Sequence, residues 1–257
     1  TIAYAVSGTT LTFTAAPVTS SGNNIYVLHH NAPASTANHP AGQDLTAVAG
    51  NFTGGVNLTG TTPTLTIGDA GAEDAKIVFD GNAQDYHIGL DDSADSLIIG
   101  KGSALGTTSH IVTDANGRVT KPLQPRLNAI RGSSRLDAAD GSGTETIVPF
   151  VEQTDIGNNF ASNTFTCPID GSYFVSFFGM FINPDAYAFV TIRLNTTTVI
   201  AAYEDDNGPK TGSSNVACSA IIVASANDTI KAFFGGGNTS SKLHEGAYGG
   251  INIQLIA

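Results

Sequence analysis

The segment 171–181, GSYFVSFFGMF, restricts the fold more than any other stretch of the chain. Successive side chains of a β-strand point to opposite faces, so Tyr173 and Phe177 would share one face here. Phe174 and Phe178 would share the opposite face. A sandwich strand with one face in water needs aromatic residues on a single side only. The pattern therefore predicts a strand that packs on a core with one face and against another subunit with the other.

The composition favours β-structure along the whole chain. The 257 residues include 29 Gly and 10 Pro, and 13% of them are charged while 41% are hydrophobic. Strands and turns accommodate such a mixture better than helices do, and the apolar fraction is sufficient for a core. We therefore expect an all-β protein that is folded rather than disordered.

The net charge and the length of the apolar runs argue against two classes of partner, nucleic acid and the membrane interior. The formal net charge is −11, whereas a protein that follows nucleic-acid phosphates carries a basic patch, so we expect no nucleic acid as a partner. No run of 18 apolar residues occurs, so we expect no membrane insertion. The sequence starts at Thr1 without the basic and apolar segments of a secretory leader, and we expect a processed product or a fragment of a longer chain.

Three regions that differ in composition and strand pattern define the expected domains. Residues 1–60 read as an N-terminal β segment followed by a stretch rich in Ala, Thr and Gly. Residues 61–124 alternate short strand candidates with turn signals, which predicts a β-hairpin shaft. Residues 125–257 are denser in aromatic residues and predict a jelly-roll head.

The expected shaft is too thin to be stable alone. Its strand candidates are about five residues long and contain few aromatic residues, so a single copy would be marginal. We therefore expect copies of the chain to wind together. One hairpin is marked by Asn116-Gly117 between Ile111-Val112 and Val119, because both central residues of a type I′ turn need positive φ.

The expected head contains eight strand candidates. They span residues 146–151, 163–167, 171–181, 188–194, 197–203, 215–224, 228–234 and 246–256. Eight to ten strands over this length fit a sandwich or jelly roll. The two cysteines, Cys167 and Cys218, are expected to be either two buried thiols or one bridge.

One stretch of the head, TIVPFVEQTDIGNNFASNTFTCPIDGSYFVSFF, resembles the signature of the complement C1q globular-head family. The signature consists of an apolar-x-Phe strand, Gly-Asn-x-aromatic, Thr-Phe-Thr-Cys-Pro and Gly-x-Tyr-Phe. Its positions here are Phe150, Gly157, Asn158, Phe160, Phe165, Thr166, Cys167, Pro168, Gly171, Tyr173 and Phe174. The match continues in VTIRLN, ASANDTIKAFF and YGGINIQL, so that it covers roughly half of the chain.

This resemblance implies a jelly roll of the tumour-necrosis-factor type that forms tight trimers. Aromatic strands would pack along the three-fold axis of such a trimer. The residues expected in the core or at the trimer interface are Phe150, Phe160, Phe165, Tyr173, Phe174, Phe177, Phe178 and Tyr248.

The first two regions carry a second resemblance. FTAAPVTSSGNNIYV and KIVFDGNAQDYHIGLDDSADSLIIGKGSALGTTSH, followed by TKPLQP, are similar to shaft segments of tail-fibre or other virion-fibre proteins of tailed phages, particularly marine ones. The resemblance implies a junction that leads into a distal head. Combined with the all-β prediction, it describes one elongated homotrimer of an N-terminal strand module, a thin β shaft and a jelly-roll head.

These patterns favour a structural and receptor-recognition component of a virion appendage, a tail fibre or related fibre. Its partners would be a host cell-surface glycan or protein and other virion proteins, and its location would be the virion or the extracellular space. The alternative is a secreted cell-surface or extracellular-fibre adhesin with a C1q-like domain. A glycan-cleaving enzyme would need paired carboxylates, but residues 204–206 and Glu245 fall in predicted loops, so we expect no enzyme.

Two predicted loops of the head are the expected site of target binding. They are EDDNGPKTGSS at 204–214 and GGGNTSSKLHEG at 235–246, and the candidate receptor residues are Asn207, Lys210, Asn238, Lys242 and His244. Because the strands of a jelly roll serve the core and the subunit interface, recognition is left to exposed loops. Their composition offers many hydrogen-bonding groups and little apolar area, which suits a surface glycan better than a flat protein epitope.

The first of these loops is also the expected metal site. The C1q resemblance implies acidic residues near the three-fold axis that hold calcium in some trimeric relatives. Glu204, Asp205 and Asp206 offer hard oxygen ligands in a turn at this place. The alternative is a solvated acidic loop without metal. We expect no other cofactor.

Overall fold

The computed structural model describes residues 4–7, 10–14, 50, 52–139, 143–183, 187–205 and 212–257. These residues form strands, turns and two short 3₁₀ segments and contain no α-helix, so the predicted all-β class is confirmed. Within the described part, no helix is long and apolar enough to cross a membrane. The chain divides into two compact units, Thr1–Thr64 and Leu65–Ala257. The finer division at residues 60 and 124 stays a prediction.

The first unit contains one described hairpin. Its strands β1 (Tyr4–Ser7) and β2 (Thr10–Phe13) pair antiparallel, with Tyr4 opposite Phe13. The period-2 pattern of this segment therefore produces the strands it predicts. Residues 52–64 follow as irregular, exposed chain.

The second unit begins with a five-stranded antiparallel meander. Its strands are β3 (Ala75–Phe79), β4 (Tyr86–Asp91), β5 (Ser96–Lys101), β6 (Ser109–Thr113) and β7 (Val119–Thr120), paired in chain order. One face of the sheet buries His87 and Ile98. The loop after β5 is tied to that face, because Lys76 Nζ donates to Ser103 O at 2.7 Å and His87 Nδ1 lies 2.8 Å from Gly102 O.

The predicted hairpin at Asn116-Gly117 joins β6 to β7, but its turn is not type I′. Gly117 has φ of 77°, whereas Asn116 does not have positive φ. The Gly117 N–H donates to Asp114 O at 2.8 Å, and the Asp114 carboxylate accepts from the N–H groups of Asn116 and Arg118 at 2.9 Å each. The Asp114 side chain thus holds a four-residue loop that needs positive φ only at its last residue.

The rest of the second unit is the head. Its strands are β8 (Arg126–Arg131), β9 (Leu136–Asp137), β10 (Thr146–Ile147), β11 (Phe150–Ile156), β12 (Phe160–Ala161), β13 (Thr164–Thr166), β14 (Gly171–Ile182), β15 (Tyr187–Leu194), β16 (Thr197–Asp205), β17 (Ser213–Ala224), β18 (Thr229–Gly236), β19 (Lys242–Leu243) and β20 (Gly250–Leu255). They form two antiparallel sheets. The first sheet has the order β11-β8-β20-β14-β19-β9, and β17 pairs with the whole of β14 along its other edge. The second has the order β12-β13-β18-β15-β16, and β10 also pairs with β18.

The connections between the two sheets make the head a jelly roll. The chain passes from β13 in the second sheet to β14 in the first and returns to β15. It crosses again from β16 to β17, from β17 to β18, and finally to β20. These repeated crossings between facing antiparallel sheets confirm the predicted jelly roll.

The core of the head lies between the two sheets and is rich in aromatic residues. Phe165 and Tyr173 meet edge to face with ring centroids 6.0 Å apart, and Phe181 meets Phe234 at 5.8 Å. The Tyr173 hydroxyl donates to Ile169 O at 2.7 Å, so its polar end is satisfied inside the core. Aliphatic residues from both sheets fill the remaining space.

Strand β14 has the two faces that its sequence predicts. Tyr173, Val175 and Phe177 are at most 1% exposed and point into the core. Phe174 and Phe178 are 38% and 42% exposed on the opposite side of the sheet. The aromatic residues of the outer side therefore have no place in the core of their own chain.

The predicted strand 246–256 starts later than expected. Residues Gly246–Tyr248 form a 3₁₀ turn, and the strand begins at Gly250. Gly246 has φ of 65°, and its N–H donates to Gly132 O at 2.8 Å, which bends the chain away from the sheet. Tyr248 consequently lies in this turn and is exposed rather than in the closing strand.

The two cysteines are separate thiols. Cys167 is buried in the core, and Cys218 is partly buried and packs against the core. Neither cysteine is bridged. Burial raises the pKa of the Cys167 thiol to about 11, with a smaller contribution from the Asp228 charge. Burial alone raises the pKa of the Cys218 thiol to about 11. The two-thiol alternative is therefore the one the fold contains.

These pKa values predict that neither thiol reacts in the native protein. Alkylation proceeds through the thiolate, and a pKa raised by about two units lowers the thiolate fraction roughly 100-fold at pH 8. After iodoacetamide treatment at pH 8, mass spectrometry should show unmodified native protein and two modified cysteines in protein unfolded in guanidinium. Modification of the native protein at the unfolded rate would contradict the burial of these residues.

Candidate functional site

The head has two opposite ends, separated by the length of β14. At the first end the chain enters the head, where Leu255 N–H donates to Pro125 O at 3.1 Å and Leu255 pairs with Tyr173. At the other end Ile182 pairs with Lys242. Twelve strand residues span about 36 Å at 3.3 Å per residue. We call the end at Ile182 the distal end, and the predicted receptor loop 235–246 lies there.

The predicted loop 235–246 is shorter in the structure, because β18 continues to Gly236 and Lys242 lies in β19. The residues between these strands are held by their own hydrogen bonds. Asn238 begins a tight turn in which its carbonyl accepts from Ser241 N–H at 3.1 Å and its side chain accepts from Ser240 N–H at 2.9 Å. Lys242 then pairs with Asp137, with Nζ 2.5 Å from Oδ1. Two of the predicted receptor residues, Asn238 and Lys242, are thus fixed in position by neighbours within the chain.

His244 lies behind the same loop. Its side chain is only 14% exposed, its Nδ1 lies 3.2 Å from Glu245 Oε2, and its ring is 4.2 Å from the ring of Tyr248. Arg135 Nε donates to the same Glu245 oxygen at 3.0 Å. A backbone N–H, Arg135 and His244 together hold the pKa of the Glu245 carboxyl below its usual value. His244 therefore supports the loop more than it faces solvent.

Arg131 is the buried residue that anchors this region, and the sequence analysis missed it. It is 1% exposed, and its guanidinium donates to three backbone carbonyls, those of His244 at 3.2 Å, Ser134 at 3.2 Å and Pro149. Burial lowers its pKa to about 10, which the charge of Glu245 partly offsets, so it stays protonated at neutral pH. One cation thus joins β8 to three separate loop segments.

A stack of three aromatic rings lies on the outer side of the second sheet at the distal end. Phe189 and Tyr203 are opposite each other on β15 and β16, with ring centroids 5.0 Å apart and planes at 4°. Tyr187 stacks on both, at 6.0 Å from Phe189 and 5.8 Å from Tyr203. Phe189 is 8% exposed, whereas Tyr203 is 62% exposed. The sequence shows these residues only as separate strand aromatics.

Charged residues next to the stack are paired with each other. Glu145 accepts a hydrogen bond from Thr191 Oγ1 at 2.5 Å and forms a salt bridge with Arg193. The Arg193 guanidinium lies over the ring of Phe233, 4.5 Å from its centroid. This pairing offsets the positive charge of Arg193 on the side of the sheet that carries the stack.

Part of the predicted site falls outside the described residues. Asp206, Asn207 and Lys210 are not described. Of Glu204 and Asp205, only the backbone at the end of β16 is described. Within the described part, no group of three His, Cys, Asp or Glu residues is close enough to hold a metal ion. Calcium binding at residues 204–206 therefore stays a prediction.

The residues predicted for the core or the trimer interface occupy different environments. Phe165, Tyr173 and Phe177 are at most 1% exposed in the core, and Phe150 and Phe160 pack at its margin. The other three, Phe174, Phe178 and Tyr248, are exposed. Their assignment to a subunit interface stays a prediction.

The outer side of the first head sheet combines apolar and neutral polar residues, and we call it the phenylalanine face. Its exposed apolar members are Phe174, Phe178, Ile221 and Val223. A polar row crosses five strands beside them, through Thr154, Asn128, Asn252, Ser176 and Ser219. A shallow cavity of about 500 Å³ lies along this row.

A second exposed apolar surface lies on the meander, and we call it the isoleucine face. Ile77, Ile88, Ile99 and Ile111 are opposite one another on four neighbouring strands. The surface also includes Phe79, Tyr86, Leu90, Leu97 and Val119. Most of these side chains are 39% to 63% exposed.

Comparison with solved structures finds proteins of similar fold. The globular domain of zebrafish complement 1qA has 15% identity and a TM-score of 0.41, over 52% of this chain and 98% of that one. Murine APRIL at pH 8.5 has 10% identity and a TM-score of 0.41, over 52% and 99%. Eiger TNF from S. frugiperda has 12% identity and a TM-score of 0.41, over 52% and 94%. At these identities the likeness is one of fold alone.

Comparisons based on sequence give no match. No protein-family model matches the chain, and no curated protein matches it.

The contacts of Arg131 predict that its replacement is far more costly than that of a neighbouring surface arginine. Arg131→Met removes a buried guanidinium donor from three carbonyls, of which only Pro149 O keeps a second, longer bond from Gly132 N–H, so the free energy of unfolding in urea should fall by about 3 kcal/mol. Arg135→Met removes a half-exposed salt bridge and should cost less than about 1 kcal/mol. Equal losses in the two variants would contradict the anchoring role of Arg131.

Proposed function

We propose that this chain is the subunit of a trimeric recognition fibre, in which three copies cover each other's apolar sheet faces and present the distal end of the head to a receptor. The observation that carries the proposal is that one chain exposes two apolar sheet faces, the isoleucine face and the phenylalanine face. Monomeric soluble proteins rarely expose contiguous apolar surface of this kind.

The isoleucine face is the stronger of the two arguments for assembly. A single meander sheet with one apolar side in water is marginal, because the exposed side chains gain nothing from folding. Each copy offers the same row of isoleucines, so copies packed around a common axis bury all of them at once. The fibre-shaft resemblance of residues 61–124 agrees with this arrangement.

The phenylalanine face supports the same conclusion in the head. Strand β17 is twelve residues long and lies at the edge of its sheet, with Ile221 and Val223 63% and 77% exposed. A long, apolar edge strand in solution invites aggregation, and proteins normally cover it. A second head subunit against this edge would cover it and bury Phe174 as well.

Three copies are the number that the C1q-like signature of the head implies. A contact between different surfaces of neighbouring copies is heterologous, and it is stable as a particle only when the rotation closes a ring. In a closed ring of three copies, every phenylalanine face is covered by a neighbouring copy. It also places three distal ends on one side of the assembly.

The proposed role is attachment of a virion to its host through the distal end. The chain that enters the head comes from the opposite end, so the loop 235–246 and the aromatic stack face away from the fibre shaft. Three identical weak sites on one head gain avidity when receptors lie within reach. We infer a binding protein located on a virion or in the extracellular space, without catalytic activity, and with other virion proteins at the opposite end.

Calcium at Glu204, Asp205 and Asp206 would fit the same assembly. Three chains bring nine carboxylates of this sequence toward one end of the trimer, and a cation would relieve their repulsion. The solvated acidic loop remains the alternative.

The proposal predicts the mass of the particle in solution. Three chains of 26.3 kDa give about 79 kDa by light scattering. A variant with Phe174→Asp and Ile99→Asp places a charge on each apolar face and should dissociate to single chains on dilution. Val199→Asp is the matched control, because Val199 is 40% exposed on the other sheet of the head and should leave the trimer intact. A monomeric wild-type chain would refute the trimer.

The virion role and the adhesin alternative predict different locations for the protein. Gold-labelled antibodies against the purified chain should mark the tails of phage particles in electron micrographs. Antibody that marks cell surfaces and no particle would favour the secreted adhesin instead.

A further inference from the structure

We propose that the stacked rings of Tyr187, Phe189 and Tyr203, which we call the aromatic stack, bind a neutral pyranose sugar of a surface glycan. The inference rests on the proposed function for its biological setting, since it names the receptor class that the distal end recognises. It goes beyond the loop residues predicted from the sequence, because the stack belongs to strands.

The first argument is the geometry of the stack. Tyr203 is 62% exposed, and its ring lies 5.0 Å from the ring of the buried Phe189 and parallel to it within 4°. Stacking on a buried neighbour holds the exposed ring in one orientation before any ligand arrives. A ligand that packs on it therefore loses less free energy to side-chain ordering than it would on an isolated tyrosine.

The second argument is that the chain makes room for these rings with glycines. A Cβ atom at Gly235 would lie 2.5 Å from Phe189 Cζ, and one at Gly237 would lie 2.5 Å from Tyr187 Cε1. The rings of Phe189 and Tyr187 thus lie against bare backbone. Two glycines of the GGG segment at 235–237, which was predicted as a loop, therefore contact the rings of the stack with their backbone.

The third argument concerns the shape of the ligand. A β-linked gluco- or galactopyranose carries the C–H groups of C1, C3 and C5 on one face of the ring. These weakly positive hydrogens match the negative face of an aromatic ring, and the flat contact buries apolar area on both sides. The turn at Asn238 supplies hydrogen-bonding groups beside that contact.

Hydrogen bonding places this turn next to the stack. The N–H of Gly237 donates to Tyr187 O at 2.9 Å, and Asn238 follows directly. The sugar hydroxyl groups at the edge of a pyranose on Tyr203 would therefore meet a polar loop. This combination of one aromatic face and a polar rim is what a sugar site requires.

Charge decides between neutral and anionic sugars. The chain carries a formal net charge of −11, and Tyr203 is followed in sequence by Glu204, Asp205 and Asp206. Arg193, a cation on the same side of β15 as Phe189, is already paired with Glu145. An anionic sugar would be repelled at this position, so the site selects neutral pyranoses.

The test uses the full-length chain and four simple glycosides. Saturation-transfer NMR is recorded with methyl β-D-glucopyranoside, methyl β-D-galactopyranoside, methyl N-acetyl-β-D-glucosaminide and methyl β-D-glucuronide. At least one neutral probe should receive saturation at H1, H3 and H5, and the glucuronide should receive none.

Variants locate the contact. Tyr203→Ala should weaken the binding of the neutral probe by about tenfold, whereas Tyr203→Phe, which keeps the ring, should bind like wild type. Gly235→Ala should also weaken binding, because its methyl group displaces the Phe189 ring and disturbs the stack while the ring of Tyr203 is retained. Tyr4→Ala is the control, since it removes an exposed tyrosine outside the head and should leave binding unchanged.

Two outcomes overturn the inference. The first is no saturation transfer to any neutral probe, and the second is transfer that is unchanged in Tyr203→Ala. The proposed function is judged separately by the mass of the wild-type particle. A trimer that binds no sugar refutes the aromatic stack alone, and a monomer that binds through Tyr203 refutes the trimer alone.

Discussion

The packing of the inner row of β14 between the two sheets is the interaction on which the rest of the head depends. Tyr173, Val175 and Phe177 are buried by the second sheet, and β14 pairs with β17 and β20 on its two edges. Because strand side chains alternate, burial of this row fixes Phe174 and Phe178 on the outer side. The same constraint that forms the core therefore exposes the two phenylalanines that the proposed trimer would bury.

The sequence was sufficient for the long strands of the head and insufficient for its short ones. Alternation of apolar and polar residues predicted β14 to β18 within a few residues, since a buried face imposes its period on the chain. Strands β9, β12 and β19 have only two residues each, too few to show a period, and β8 was missed although its burial alternates. The Asn116 turn was misassigned because the Asp114 side chain stabilises a longer loop, which the dipeptide alone does not reveal.

The candidate site was less predictable than the fold, because its contacts join residues distant in sequence. Phe189 and Tyr203 meet only through the register of β15 and β16, and Gly235 reaches them from β18. Arg131 was not singled out in the sequence, because its hydrogen bonds reach His244, over a hundred residues away. Composition identified the polar character of the loop 235–246 but not the internal pairing that holds it.

In the proposed trimer, the neutral polar row on the phenylalanine face sets the register between neighbouring copies. Asn128, Ser176 and Asn252 lie beside the exposed phenylalanines of this face, and inside an interface each of their groups must find a partner or lose free energy. Apolar residues alone would allow neighbouring copies to slide, whereas amides and hydroxyls are satisfied in few alignments. Asparagine and serine are also cheaper to bury than charged residues, which agrees with a chain that is only 13% charged. In the proposed trimer, the low charge content lowers the cost of burying a wide sheet face, and the polar row restricts its burial to one alignment of neighbouring copies.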